Sequence, residues 1–168
     1  ADLAGFELSW YKHLGFVHPL LEKVVFGGNY TYIDSQVELT PEQKEKFVTQ
    51  DRGLQGLSPQ VINLSLTYDD PSTRSVNLSY NKMDKRLMRV ALKNGDVVLG
   101  LDDYEIPPHL LDFTWIEKFD VEFLGSTMDL TFKVKNLLDN ETVWQQGGKT
   151  TFKYKTGRYY SASLSARF

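Results

Sequence analysis

A few short stretches hold residue types that do chemistry in other proteins, and their spacing decides what they can do here. Gly147–Thr150 reads GGKT, the ending of a phosphate-cradling loop. Such a loop needs a further glycine at position 143, where Val143 stands, with a buried strand before it and a helix after it. The pattern offers neither, so no nucleotide site is expected. Asp102, Asp103 and Glu105 form one acidic cluster, and Asp69 with Asp70 forms another. Carboxylates so placed can hold calcium, but both clusters fall in polar connections and read as solvated loops. His13, His18 and His109 are far apart and have no partner at ligand spacing. They read as structural or surface residues. Asn29, Asn63, Asn77 and Asn140 begin triplets with the form of glycosylation acceptors. Three of these lie in strands, where alternating polar positions produce the triplet by chance. No Ser-His-Asp set or carboxylate pair is singled out. No catalytic, cofactor or metal site is expected from these stretches.

The elements that hold these residues show one dominant period. Phe6, Leu8 and Trp10 alternate with Glu7 and Ser9. Phe26, Gly28, Tyr30 and Tyr32 share a face opposite Gly27, Asn29 and Thr31. The same two-residue alternation runs through 62–68, 75–81, 111–115, 128–134 and 160–168. Seven strands are expected. A helical period would scatter these apolar positions around the cylinder. Thr40–Val48 (TPEQKEKFV) alone reads as a helix start, with Thr40 as N-cap, Pro41 in the first turn and Gln43 at the capping-box position.

Connection lengths alternate as well. Asp69–Arg74 (DDPSTR) is a tight turn, and strands five and six are joined by a short segment around Gly125. Ser35–Gln60, Lys82–Leu110 and Asp139–Gly157 are long and polar. Within the second of these, Arg86–Leu92 has strand character and Lys93–Asp96 (KNGD) can turn a hairpin. In an up-and-down antiparallel sheet, successive connections fall at opposite ends. One end is therefore expected to have short turns and the other long loops, as in outer-membrane barrels.

Composition narrows the classes. The 168 residues have 19 basic and 22 acidic side chains and a net charge of −3, which argues against a nucleic-acid partner. Cysteine is absent, which removes disulfide scaffolds and thiolate metal sites. The sequence has no apolar run long enough for a membrane helix. A membrane β-strand needs only about 9–11 alternating residues and escapes that test. Ala1, not Met, stands first, and the expectation is a processed or cut chain.

Read from the residues alone, three architectures accommodate the pattern. One is the last strands of a larger outer-membrane barrel. Another is a self-standing small barrel or porin-like protein, with an even strand number near eight. The third is a soluble β-sandwich binding module whose even-numbered aromatics form a dry core. Aromatics near strand ends suit interfacial girdles. On this phase Asp129, Lys133, Lys135 and Arg167 point to the polar side, the lumen of a barrel.

The sequence resembles the C-terminal part of a TonB-dependent outer-membrane receptor over nearly its whole length. GFELSW at Gly5–Trp10 is similar to the family's G-F-E-L-E strand, and FGGNYTYIDSQV at Phe26–Val37 to the strand that follows. INLSLTYDD and RSVNLSYN, within 62–81, are similar to the next hairpin, and DYEIPPHLLDFTW at Asp103–Trp115 to a loop returning into a strand. The sharpest match is KVKNLLDNE at 133–141 followed by GRYYSASLSARF at Gly157–Phe168.

The resemblance implies an all-β, antiparallel up-and-down sheet forming the C-terminal strands of a transmembrane barrel. Residues 1–168 would be the barrel portion, without the plug or the earlier strands of a barrel of about 22. It implies location in the outer membrane of a Gram-negative bacterium and a transporter, not an enzyme, that takes up a scarce nutrient such as an iron–siderophore complex or cobalamin. Tyr160, Ala162, Leu164, Ala166 and Phe168 match the terminal strand read by the barrel-assembly machinery. The implied partners are outer-membrane lipid, that machinery, the remaining barrel and plug with TonB contacting the plug, and a small-molecule ligand at the external loops. An isolated piece would expose two strand edges, and oligomerisation or strand swapping is then expected.

Overall fold

The computed structural model describes residues 1–121 and 126–167. The chain runs β1 (Asp2–His13), two 3-10 turns (Leu14–Phe16 and Pro19–Leu21), β2 (Val24–Gln36), α1 (Pro41–Lys46), β3 (Gln60–Asp70) and β4 (Arg74–Met83). It continues with β5 (Arg86–Arg89), β6 (Lys93–Asn94), β7 (Val97–Val98), β8 (Asp103–Ile106), β9 (Leu110–Val121) and β10 (Ser126–Lys135). It ends with β11 (Glu141–Gln146), β12 (Lys149–Lys155) and β13 (Tyr159–Arg167).

The fold is all-β and antiparallel. One seven-stranded sheet takes the order β1-β2-β3-β4-β9-β10-β13, and a four-stranded sheet the order β12-β11-β8-β5. The seven strands of the large sheet are the seven that alternate in sequence. They meander in chain order because the intervening short strands leave the sheet and return to it. Every connection that makes such an excursion, 37–59, 84–109 and 136–158, leaves from the same end. The opposite end has 14–23 and 71–73; the segment 122–125, which contains Gly125, lies outside the described residues.

The long connections build a layer of their own. The helix forms as its cap dictates: the Thr40 hydroxyl accepts from the Gln43 amide, and the Gln43 side chain accepts from the Thr40 amide. An isolated bridge joins Phe47 to Leu92, so the first long connection leans on the second. The KNGD stretch does turn a hairpin, between β6 and β7, with Gly95 at φ +58°. The third connection, read in sequence as a loop, is instead the β11–β12 hairpin. Its turn is Gly147-Gly148, with φ of +54° and +79°. GGKT is therefore a hairpin turn, built from the two residues that tolerate left-handed backbone.

Burial is concentrated in this loop layer. Leu39, Leu87, Val90 and Ala91 are buried there, and among the described residues no side chain is fully enclosed. Large apolar residues of the seven-stranded sheet, among them Phe6, Leu8, Phe26, Leu66, Trp115 and Phe132, remain exposed. The dry core expected of a sandwich, built from the even-numbered aromatics, is not what the described residues form.

Candidate functional site: a two-faced sheet and its loop layer

Register fixes which side chains share a face, because residues paired across antiparallel strands point the same way. Val24, Tyr68, Val76, Trp115, Phe132 and Ala162 lie in one paired row across six strands. A second row runs Phe26, Leu66, Leu78, Phe113, Val134 and Tyr160. No strand slips by one residue, so the apolar phase holds across the whole sheet.

The apolar band does not follow these rows. The row through Leu8 passes Tyr30 and Ile62 and reaches Lys82 on β4. The row through Leu164 passes Leu130 and reaches Glu117, then Arg74 and Asp70. Apolar residues thus sit toward the loop end on β1 and toward the turn end on β13, and the band crosses the sheet obliquely. Its centre moves by roughly one and a half residues per strand. At about 3.4 Å per residue and about 4.8 Å between strands, that drift corresponds to strands tilted by roughly 45° from a level band. Barrel strands tilt by about 35–45° in a bilayer.

Charges bound the band at the turn end. Arg74 pairs with Glu117 at 2.8 Å, and the Trp115 indole N–H donates to the same carboxylate at 3.0 Å. Lys23 pairs with Asp70, whose other oxygen accepts from the Ser72 amide. Toward the loop end, the Tyr30 hydroxyl donates to Gln60 at 3.0 Å and the Tyr80 hydroxyl lies 3.0 Å from His109 Nδ1. Tyrosines and a tryptophan with polar tips at both borders are the arrangement that suits an apolar–water interface.

The opposite face is polar and hydrogen-bonded to itself. Asn29, Asn63 and Asn81 are register partners on β2, β3 and β4. Asn81 donates to Asn63 at 2.6 Å, Asn63 to Asn29 at 2.7 Å, and Asn29 to Glu7 at 2.9 Å. An ionised carboxylate only accepts, so Glu7 orients the whole ladder. On the same face, two rows toward the turn end, Asn77 donates to the Thr67 hydroxyl at 2.7 Å. A concavity of about 540 Å³ lies over this part of the sheet, reaching from Ser9 to Asp112. The sequence held one hint of the ladder, the repeated asparagines at alternate positions. Register, which the sequence does not state, is what brings them into line.

Asp129, Lys133 and Lys135 share this polar face: they pair with Lys118, Thr114 and Tyr159 or with β13 serines, never with the apolar set. Asp129 is buried, while both lysines are exposed. The backbone of Arg167 pairs with Thr127. In the terminal strand, Tyr160, Ala162, Leu164 and Ala166 pair with Val134, Phe132, Leu130 and Met128. Phe168 lies outside the described residues.

The acidic clusters are structural. Glu105 is buried and receives Arg86 at 2.8 Å, Arg89 pairs with Asp103 at 2.5 Å, and Asp102 accepts from the Ala91 amide and the Thr49 hydroxyl. These contacts stitch the loop layer together. The histidines also do three separate tasks: His18 caps a turn through Nδ1, His13 packs edge-on against Tyr11, and His109 meets Tyr80. Asp139, at the head of the β11–β12 hairpin, accepts from Lys155 at 2.7 Å, and that hydrogen bond holds its carboxyl below the ordinary carboxylate value.

Comparison with protein-family models, with curated proteins and with solved structures found no match to this chain.

Proposed function

We propose that residues 1–168 are the C-terminal wall of an outer-membrane β-barrel, in a receptor that takes up a scarce nutrient such as an iron–siderophore complex with energy supplied through TonB. The oblique apolar band is the observation that carries the barrel reading. Lipid imposes a level band, and tilted strands convert it into a diagonal across their register. A continuous apolar face of this extent is foreign to the surface of a soluble monomer. The backbone groups of β2, β3, β4, β9 and β10 are paired on both sides within the sheet, as hydrocarbon demands, and the outer edges of β1 and β13 are left for further strands.

In this reading the polar face lines the lumen, with Asp129, Lys133 and Lys135 among its residues. The loop layer faces outside and meets the ligand, and the short turns face the periplasm. The terminal strand, Tyr160 to Phe168, is what the assembly machinery reads. Seven antiparallel strands leave β1 and β13 pointing the same way. An all-antiparallel barrel closes between them only through an odd number of further strands, which the remainder of a receptor would supply. The receptor class itself rests on the NLLD and GRYY sequence resemblance.

The test is the size and location of the native polypeptide. An antibody raised against this chain, applied to fractionated cells, is expected to find a band several times larger than 19.3 kDa in the outer membrane. A band of that mass in a soluble fraction would overturn the proposal.

A further inference from the structure

The polar face of β1–β4 has more hydrogen-bonding capacity than its ladder consumes. Each asparagine of the set Asn29, Asn63 and Asn81 spends one amide hydrogen on a neighbour, and each amide has two. The oxygens of Asn29 and Asn63 likewise accept once and have a second lone pair. The ladder therefore presents a row of fixed amides with one spacing, that of adjacent strands, about 4.8 Å. Their orientation is set in advance by Glu7, so a ligand need not order them.

The adjoining row is cut low. Gly27, Ser65 and Ser79 are register neighbours there, followed by Asp112. A Cβ on Gly27 would stand 3.2 Å from the Ser65 hydroxyl and 3.5 Å from the Tyr11 ring. Small side chains thus hollow the floor, and Tyr11, the register partner of Gly27 on β1 and 71% exposed, continues that row just outside the residues that line the concavity. Asp112 lines the concavity, Glu7 stands beyond its lining at the end of the ladder, and no lysine or arginine lines it.

We infer that this concavity binds a neutral, hydroxyl-rich ligand, a short oligosaccharide. Sugar hydroxyls donate and accept at once, which matches amides with one donor and one acceptor to spare. Carboxylates accept strong hydrogen bonds from hydroxyls. An exposed ring offers a platform for the C–H face of a pyranose. Anions meet Asp112, with Glu7 beyond the end of the ladder, and no lysine or arginine in the lining offsets the repulsion. The site stands on the polar face, and its test is independent of what meets the apolar one.

Maltotriose, cellotriose and chitotriose are the probes, with citrate as the anionic comparison. The polypeptide carrying this sequence is held in an amine-oxide detergent, which has no sugar headgroup. At least one trisaccharide is expected to shift the side-chain amide resonances of Asn29, Asn63 and Asn81. Its affinity should fall by about tenfold in Asn63→Leu, which removes two ladder bonds, and in Tyr11→Ala, which removes only an exposed ring. Asn77→Leu, two rows from the ladder, should bind as the parent does. The inference is overturned if none of the three sugars binds, if citrate binds more tightly than all of them, or if Tyr11→Ala binds undiminished. An Asn63→Leu variant that fails to fold leaves the Tyr11 result and the parent's amide shifts to decide.

Discussion

Leu130 and Leu164 face each other across β10 and β13, and both stand open, 41% and 60% exposed. Ser163 and Ser165 alternate with Leu164 on the other face, paired with Thr131 and Asp129. Two leucines in a matched pair on an uncovered face are what a lipid-contacting strand requires.

Replacing either leucine with arginine places a cation on that face. Leu130→Arg and Leu164→Arg should each cost about 2–4 kcal/mol at mid-bilayer depth and block assembly. Ser163→Arg should be mild. Folding yield into lipid vesicles, read by protease resistance, distinguishes them. Equal yields for all three would contradict the lipid-facing assignment.

The asparagine ladder also stabilises the sheet. Asn63→Ala removes the bonds to Asn29 and to Asn81, each worth about 1 kcal/mol net. Denaturant titration should show a loss of about 1–2 kcal/mol, whereas Asn77→Ala, with one bond to Thr67, should lose about half as much.

Glu105 is 7% exposed and depends on Arg86. Arg86→Met strands a buried carboxylate and should destabilise the loop layer by about 3 kcal/mol, while the double variant with Glu105→Leu should recover much of the loss. Hydrogen exchange at β5 and β8 reads the effect. A double variant no better than Arg86→Met would contradict it.

Acid should loosen the β11–β12 hairpin. The hydrogen bond from Lys155 depresses the Asp139 carboxyl below its ordinary value of 3.8. The group binds fewer protons folded than unfolded, so its stabilisation is present above pH 3.8 and is lost as pH falls through the depressed value. In Lys155→Met the Asp139 carboxyl should titrate closer to 3.8, as followed by NMR. An unchanged titration would show that Lys155 is not its partner.

What could be read in advance depended on the range of each signal. The seven long strands were legible because a single-face environment imprints a period of two, as in Ile62 to Tyr68. The helix start was legible because Thr40, Pro41 and Gln43 make a purely local cap. The four-stranded sheet was only partly legible, in Arg86–Leu92. Glu141–Gln146 and Lys149–Lys155 are short strands that pair with each other, with only the first also held by the distant β8, and their period was overlooked within a long connection. The ladder and the diagonal band both depend on register between strands, which turns and long-range packing set. The Gly147-Gly148 pair was set aside as a phosphate loop but not recognised as a hairpin turn.

Spin labels placed singly from Ser161 to Ala166, in the polypeptide carrying this sequence reconstituted in lipid bilayers, test the central claim most directly. The account predicts a period of two, with labels at Ala162, Leu164 and Ala166 accessible to oxygen dissolved in lipid and those at Ser161, Ser163 and Ser165 accessible to a water-soluble nickel complex. Labels accessible to the nickel complex at all six positions, or the opposite phase, would contradict it.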